Sequence, residues 1–332
     1  MKRWFVLALT SILALTAMAT PLETRADTRT DARTDARNDR QSRAPAPAQP
    51  RPIIVDHTAI ALFDRIPDRY IRAARELRMI YFDKSVGANI DSGLDCLQYP
   101  SANAAPVGCK RPDPVTGQST GLVASIKYDR SRWRYQWWPQ RGCGAWYELV
   151  SCFIAQAGPI AAQYDVLSFQ FSYGEVGAGS TIADKSAGFF ANNKAVNDIY
   201  DYEAFAARYP GKQFILWTTS LSRGVGTAES TDFNNQMRAY ARANNKILFD
   251  VADIEAHDPA GKPCFDNRDG VRYCEPNNPT KCENFPDDKF DYPAICPNYT
   301  TEMNAGHLNS MGKVRLAKAF WVLMAQVAGW TP

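Results

Sequence analysis

A serine and a histidine far apart in the chain have the residue types for nucleophilic ester cleavage. Ser85 comes one short turn after the apolar run Leu77-Arg78-Met79-Ile80-Tyr81-Phe82 and opens Ser85-Val86-Gly87-Ala88-Asn89-Ile90-Asp91-Ser92-Gly93-Leu94. A hydroxyl at the carboxyl end of a strand, feeding a helix N-terminus, stands where backbone N–H groups can face developing negative charge. Such a hydroxyl needs a general base, and imidazole is the usual one. The chain has three histidines. His57 lies beside a proline-rich stretch and reads as a surface or packing residue. His257, in Asp253-Ile254-Glu255-Ala256-His257, reads as a satisfied loop histidine. His307, in Gly306-His307-Leu308-Asn309 just before the final amphipathic segment, is the candidate base.

The elements that must bring these two together alternate in type. Helical periodicity over 66–77 leads into a first strand at 79–82, and further strands are expected at 122–126, 165–171, 212–219 and 246–251. Helices are expected at 198–209, at 231–244 with Asp232 as cap, and at 313–328 with one apolar stripe. Strands alternating with helices imply a parallel sheet covered on both faces, which binds ligands at the carboxyl ends of its strands. Ser85 and His307 both come to that edge.

A hydrophobic fraction of 45% is ample for a core, and a net charge of +3 with no basic, aromatic-interleaved stripe excludes nucleic acid as a partner. Lys2-Arg3, an apolar run and Ala17-Met18-Ala19 form a signal peptide over 1–19, cut after Ala19. Residues 20–52 then alternate Asp and Arg and end in proline-rich sequence, which reads as a disordered tether. The folded domain spans 53–332. No other segment is apolar enough to cross a bilayer, so the expected location is periplasmic or extracellular, with no integral membrane association after cleavage. Eight cysteines follow the signal, an even number that reads as disulfides in an exported chain. Local spacing suggests Cys96–Cys109, Cys143–Cys152, Cys264–Cys274 and Cys282–Cys296. No C-x-x-C pair with a nearby histidine suggests zinc, so no metal is expected.

Several segments resemble the SGNH (GDSL-like) hydrolase superfamily over roughly 79–329. They are Phe82-Asp83-Lys84-Ser85-Val86-Gly87, residues 165–173, Ile215-Leu216-Trp217-Thr218-Thr219 and His307-Leu308-Asn309-Ser310-Met311-Gly312. The resemblance implies a flavodoxin-like three-layer α/β/α fold and an esterase, lipase or carbohydrate acetylesterase activity without a cofactor. It makes Ser85 the nucleophile and His307 the base. The family's Gly-Asp before the serine is Asp83-Lys84 here. The Asp of its D-x-x-H segment falls at Asn304, with Glu302, Asp287, Asp288 or Asp291 as stand-ins. The asparagine of its third block falls at Gly174, leaving Asn89, Gln170 or the backbone N–H groups of Val86 and Gly87 to bind the oxyanion. For the glycine of its second block, Gly142 and Gly144 are the nearest in order.

The expected function is hydrolysis of a carboxylic ester, either a small molecule or an acetylated polysaccharide. A non-catalytic glycan-binding or cell-surface protein is the alternative. Trp133, Tyr135, Trp137, Trp138, Trp146 and Tyr147, set among arginines, read as an exposed insert that can stack on sugars, or as packing beside a disulfide.

Overall fold

The structure is a computed structural model that describes residues 51–138, 143–223, 226–266, 272–275, 278–284, 289–302 and 305–332. The signal peptide and nearly all of the tether lie outside the described residues, as do Gly142, Asp287, Asp288 and Asn304. The chain is an α/β protein with a six-stranded parallel sheet. In chain order the strands are β1 (Ile53–Val55), β2 (Met79–Asp83), β3 (Trp133–Trp137), β4 (Val166–Phe169), β5 (Gln213–Trp217) and β6 (Ile247–Phe249). Their order in the sheet is β1-β6-β5-β4-β2-β3, with every neighbouring pair parallel.

β2, β4 and β6 are buried along their whole length, as expected of strands covered on both faces. Alternate residues divide between two cores. Met79, Tyr81, Ile215, Trp217, Ile247 and Phe249 join one, with α1 (Asp68–Glu76), α2 (Ser85–Leu97) and α7 (Ser310–Val327). Ile80, Phe82, Leu167, Leu216 and Leu248 join the other, with α3 (Trp146–Ala157), α4 (Ile199–Ala207) and α5 (Ala228–Ala243). A short helix, α6 (Val251–Glu255), follows β6, and an antiparallel hairpin of β7 (Arg272–Glu275) and β8 (Asn278–Asn284) forms a separate two-stranded sheet. The winding reverses at β2, with β3 on one side and β4 on the other. Among the described residues no helix is long and apolar enough to cross a membrane.

Several expectations need correction. Residues 122–125 form no strand, and a 3₁₀ helix follows at Ile126–Tyr128. The strand in this region is β3, Trp-Arg-Tyr-Gln-Trp, which lies at the sheet's edge and, beyond the buried Trp133, is half-buried at Tyr135 and exposed elsewhere. Trp133, Trp138 and Trp146 are buried, so half of the aromatic cluster is core, whereas Tyr135 is half-buried and Trp137 and Tyr147 are exposed, Trp137 by 57%. α5 starts before 231, and its cap is Thr227, not Asp232. α7 is buried on almost every side rather than along one stripe, because α1, α2 and β1 all pack on it.

The structure pairs Cys96–Cys109 and Cys143–Cys152 as expected, but Cys264 with Cys296 and Cys274 with Cys282. The β7–β8 register sets Cys274 opposite Cys282, which leaves the outer two to each other.

α2 and α7 approach closely at Gly93. A Cβ there would overlap the Lys313 carbonyl oxygen and stand 2.7 Å from its carbon. A helix main chain cannot rotate aside as a side chain can. Gly93→Ala is therefore expected to destabilise the fold by roughly 1–3 kcal/mol, read as a lower urea midpoint at unchanged slope.

Candidate active site

Ser85 is the first residue of α2, directly beyond the Asp83-Lys84 turn that ends β2. The first helix-closing bond runs from the Ala88 N–H to the Lys84 carbonyl, at 3.3 Å. The N–H groups of Ser85, Val86 and Gly87 therefore have no partner within the helix. Gly87 packs against Asp83 and Tyr135, and its N–H faces the Asp83 carboxyl. The N–H groups of Ser85 and Val86 are thus the ones left to face an anion.

His307 lies in the strap that leads into α7, and that strap is tied down at several points. The Arg223 N–H donates to the Ala305 carbonyl at 2.9 Å, and the Asn309 N–H to the Tyr299 carbonyl at 2.7 Å. Asn309 caps α7 by accepting from the Met311 and Gly312 N–H groups. Gly306 lies against the Tyr173 ring and the Leu221 carbonyl, where a Cβ would come within 2.6 and 2.7 Å of them. The strap therefore crosses the carboxyl ends of β4 and β5.

Asn89 joins this strap to the serine turn. Its Nδ2 donates to the Ser85 carbonyl at 2.7 Å, and its Oδ1 accepts from the Leu308 N–H at 3.3 Å. The side chain is buried, so the bond to Leu308 fixes the residue beside His307 to the first turn of α2. Asn89 was one of the groups offered for an oxyanion; one of its Nδ2–H donors and its Oδ1 are engaged in this bridge. Ser85 Oγ and His307 Nε2 make no hydrogen bond to each other.

Glu302 stands beside the His307 ring. Its Oε2 lies 2.7 Å from His307 Nδ1 and also accepts from the His307 N–H at 3.3 Å. Both side chains are nearly half exposed, 42% for Glu302 and 45% for His307. Asn304, the position implied by D-x-x-H spacing, lies outside the described residues, and Asp291 is exposed. Gly174 sits in the turn after β4, with its N–H donating to Ser172 Oγ at 3.4 Å. Gln170 is buried, and its Nε2 donates to the Thr218 carbonyl at 2.9 Å.

The floor under Ser85 is acidic and buried. Asp83 is fully buried, and burial pushes its carboxyl up to about 8; the Lys84 N–H opposes the rise and the nearby Glu175 adds to it. At neutral pH Asp83 is therefore mostly in its acid form. Burial also holds Glu255 well above the ordinary carboxylate range, against the 2.7 Å hydrogen bond from the Leu221 N–H. Glu175 forms an ion pair with Lys84 Nζ and accepts from the Ser172 N–H and Oγ at 2.8 Å each. Tyr135 Oη donates to the Lys84 carbonyl at 2.6 Å, so the turn bearing Ser85 is braced from β3 and from the β4 loop.

Two grooves lie away from this edge. One runs along Tyr209, Lys212, Asn245 and Lys246, and the other along Asp68, Arg75, Lys127 and Asp129. The first sits at the amino ends of β5 and β6, opposite the edge where parallel sheets bind ligands. Neither contains Ser85 or a histidine.

Sequence reasoning missed one constellation. His57, Asp253 and His257 meet at the ends of β1 and β6; the four-residue spacing of the latter two was the available signal. The Asn298-Tyr299-Thr300 sequon has its asparagine buried, with Nδ2 donating to Asp113 Oδ2 at 2.6 Å, so it presents no free glycan acceptor. Comparison of the chain with protein-family models, curated proteins and solved structures finds no match.

Proposed function

We propose that the chain is an exported serine esterase of SGNH type, on a flavodoxin-like three-layer fold, acting on carbohydrate-linked carboxylic esters. The strand order supports the fold. With β1 set aside at the edge, β3-β2-β4-β5-β6 corresponds to the flavodoxin-like order 2-1-3-4-5. Ser85 follows the strand at which the winding reverses, where such sheets bind ligands. Four disulfides fit an oxidising compartment outside the cytoplasm.

The observation that carries the chemistry is the Asn89 bridge, which couples the Ser85 turn to the strap holding His307. Ser85 Oγ attacks the ester carbonyl while His307 Nε2 takes its proton, and the Glu302 carboxylate holds Nδ1–H. The tetrahedral oxyanion faces the Val86 N–H at the positive end of α2. Collapse expels the alcohol, which receives the proton from His307. Water then repeats the sequence on the acyl-serine and releases the acid. The purified chain should turn over p-nitrophenyl acetate with saturation above the buffer rate. No turnover, combined with retention on an acetylated glycan matrix, would favour the non-catalytic glycan-binding reading.

Trp137 supports a carbohydrate substrate. It pairs in register with Asp83 at the carboxyl end of the neighbouring strand and leaves most of its ring to solvent. Aromatic stacking contributes about 0.5–1.5 kcal/mol, or roughly 2- to 10-fold in binding. Trp137→Ala should raise KM for an acetylated oligosaccharide by that factor and leave p-nitrophenyl acetate kinetics within about twofold. Equal effects on both substrates would remove Trp137 from sugar recognition.

A further inference from the structure

His57 and His257, which the ester chemistry does not use, meet on one carboxylate at the far end of the same sheet edge. His57 opens the 3₁₀ helix that follows β1, with Asp56 as its cap. Asp253 lies in α6 after β6, and β1 pairs with β6 in parallel, so both residues emerge at the same edge. Asp253 and His257 are four residues apart, which puts them on one face of a helical turn. The two imidazoles stack with centroids 3.7 Å apart and planes within 11°. His57 Nδ1 lies 2.5 Å from Asp253 Oδ2, and the His57 N–H donates to the same oxygen at 2.9 Å. His257 Nδ1 lies 2.8 Å from the Asp253 carbonyl oxygen and 3.4 Å from Oδ1. A ligand atom from each residue lies within 4.8 Å of the other two.

We propose that His57, Asp253 and His257 bind a divalent first-row transition metal, with zinc as the reference ion, which clips the N-terminal strand to the sheet. Two imidazoles and one carboxylate suit such an ion better than they suit calcium or magnesium, which take oxygen ligands. Tetrahedral zinc with bonds of about 2.0–2.2 Å holds its ligand atoms roughly 3.4 Å apart. The His257 Nδ1–Asp253 Oδ1 separation of 3.4 Å already has that value, and ligation there displaces the proton that Nδ1 donates to the Asp253 carbonyl, leaving the ring proton on Nε2. At His57 the ion replaces the proton shared with Asp253, which opens that pair by roughly 1 Å and tilts the stacked rings apart.

The surroundings allow the ion to enter. The three side chains are 23%, 21% and 20% exposed, which leaves a path for the ion and a place for water as the fourth ligand. The nearby guanidiniums are engaged elsewhere. Arg238 is held by Asp250 at 2.7 and 2.9 Å, and Arg315 Nε points to the Ile254 carbonyl at 3.4 Å. In the sheet, β6, β5 and β4 separate β1 from β2, so this site and the Ser85 site can be tested independently.

The test uses the full exported chain, stripped with EDTA and titrated with zinc chloride in a calorimeter. One saturable equivalent is expected, with a thermal midpoint raised by roughly 5 °C at a hundredfold excess over Kd and restored by EDTA. His57→Gln and His257→Gln should each weaken binding by more than about tenfold. A second readout needs no variant. Of the three histidine ring signals in the wild-type proton NMR spectrum, cobalt(II) should broaden two and spare that of His307. The proposal is overturned if the wild-type chain takes up no stoichiometric zinc. It also fails if cobalt broadens no histidine pair, or if both folded variants bind as the parent does.

Discussion

Replacing Ser85 with alanine is expected to leave a folded protein that hydrolyses p-nitrophenyl acetate about a thousandfold or more slowly than the parent chain. The substitution is a clean one for structural reasons. Ser85 Oγ makes no hydrogen bond among the described residues, and the residue caps nothing, since Lys84 holds the N-cap position. Alanine is also the better helix former, so the loss of activity should come without a fall in the thermal midpoint. The activity that remains measures what the positive end of α2 contributes to oxyanion binding by itself. A fluorophosphonate probe gives a second readout, because it should label the parent at Ser85 and not label the variant. If Ser85→Ala kept turnover within about threefold of the parent, the nucleophile would lie elsewhere. Ser85 would then be an ordinary first residue of a helix.

The parts of the fold legible in the sequence are those that one physical rule controls. β2, β4, β5 and β6 are short apolar runs between helical stretches, and burial on both faces produces that pattern. β1 escaped because three residues beside a proline-rich tether carry no period. β3 escaped because its Arg134 and Gln136 look like exposed insert, and its partner β2 lies some fifty residues back in the chain. Missing β1 also hid the His57–Asp253–His257 cluster, which needs β1 beside β6. Pairing the cysteines consecutively along the chain worked where a helix or short loop joins the pair. It failed in the hairpin, where cross-strand register chose Cys274–Cys282. At the site, the order of serine and histidine was readable because a parallel sheet delivers both to one edge. Glu302 was readable only as one of several carboxylates, since the path of the strap, rather than any fixed spacing, brings it and not Asp291 to the imidazole.

That acid leads to the second large effect. Glu302→Gln is expected to lower kcat by about 10²-fold with KM little changed, and Glu302→Asp should recover part of the loss. A buried aspartate in a serine protease triad is worth about 10⁴ when made an amide, because the amide selects the wrong imidazole tautomer. Glu302 and His307 are both nearly half exposed, so water screens the carboxylate's hold on the developing imidazolium. The tautomer effect survives that screening. A glutamine that turned its NH₂ toward Nδ1 would leave the proton on Nε2, where the serine needs an acceptor. Glu302 also accepts from the His307 backbone N–H, and the Arg223, Asn89 and Tyr299 contacts hold the strap without it. The variant should therefore unfold at the parent's temperature, so lower turnover would report on the imidazole rather than on the fold. Unchanged kcat in Glu302→Gln would mean that another group, Asn304 first among them by spacing, orients His307 during turnover. If Glu302→Asp recovered none of the lost kcat, the site would require the longer side chain, which reaches both the ring and the backbone N–H of His307.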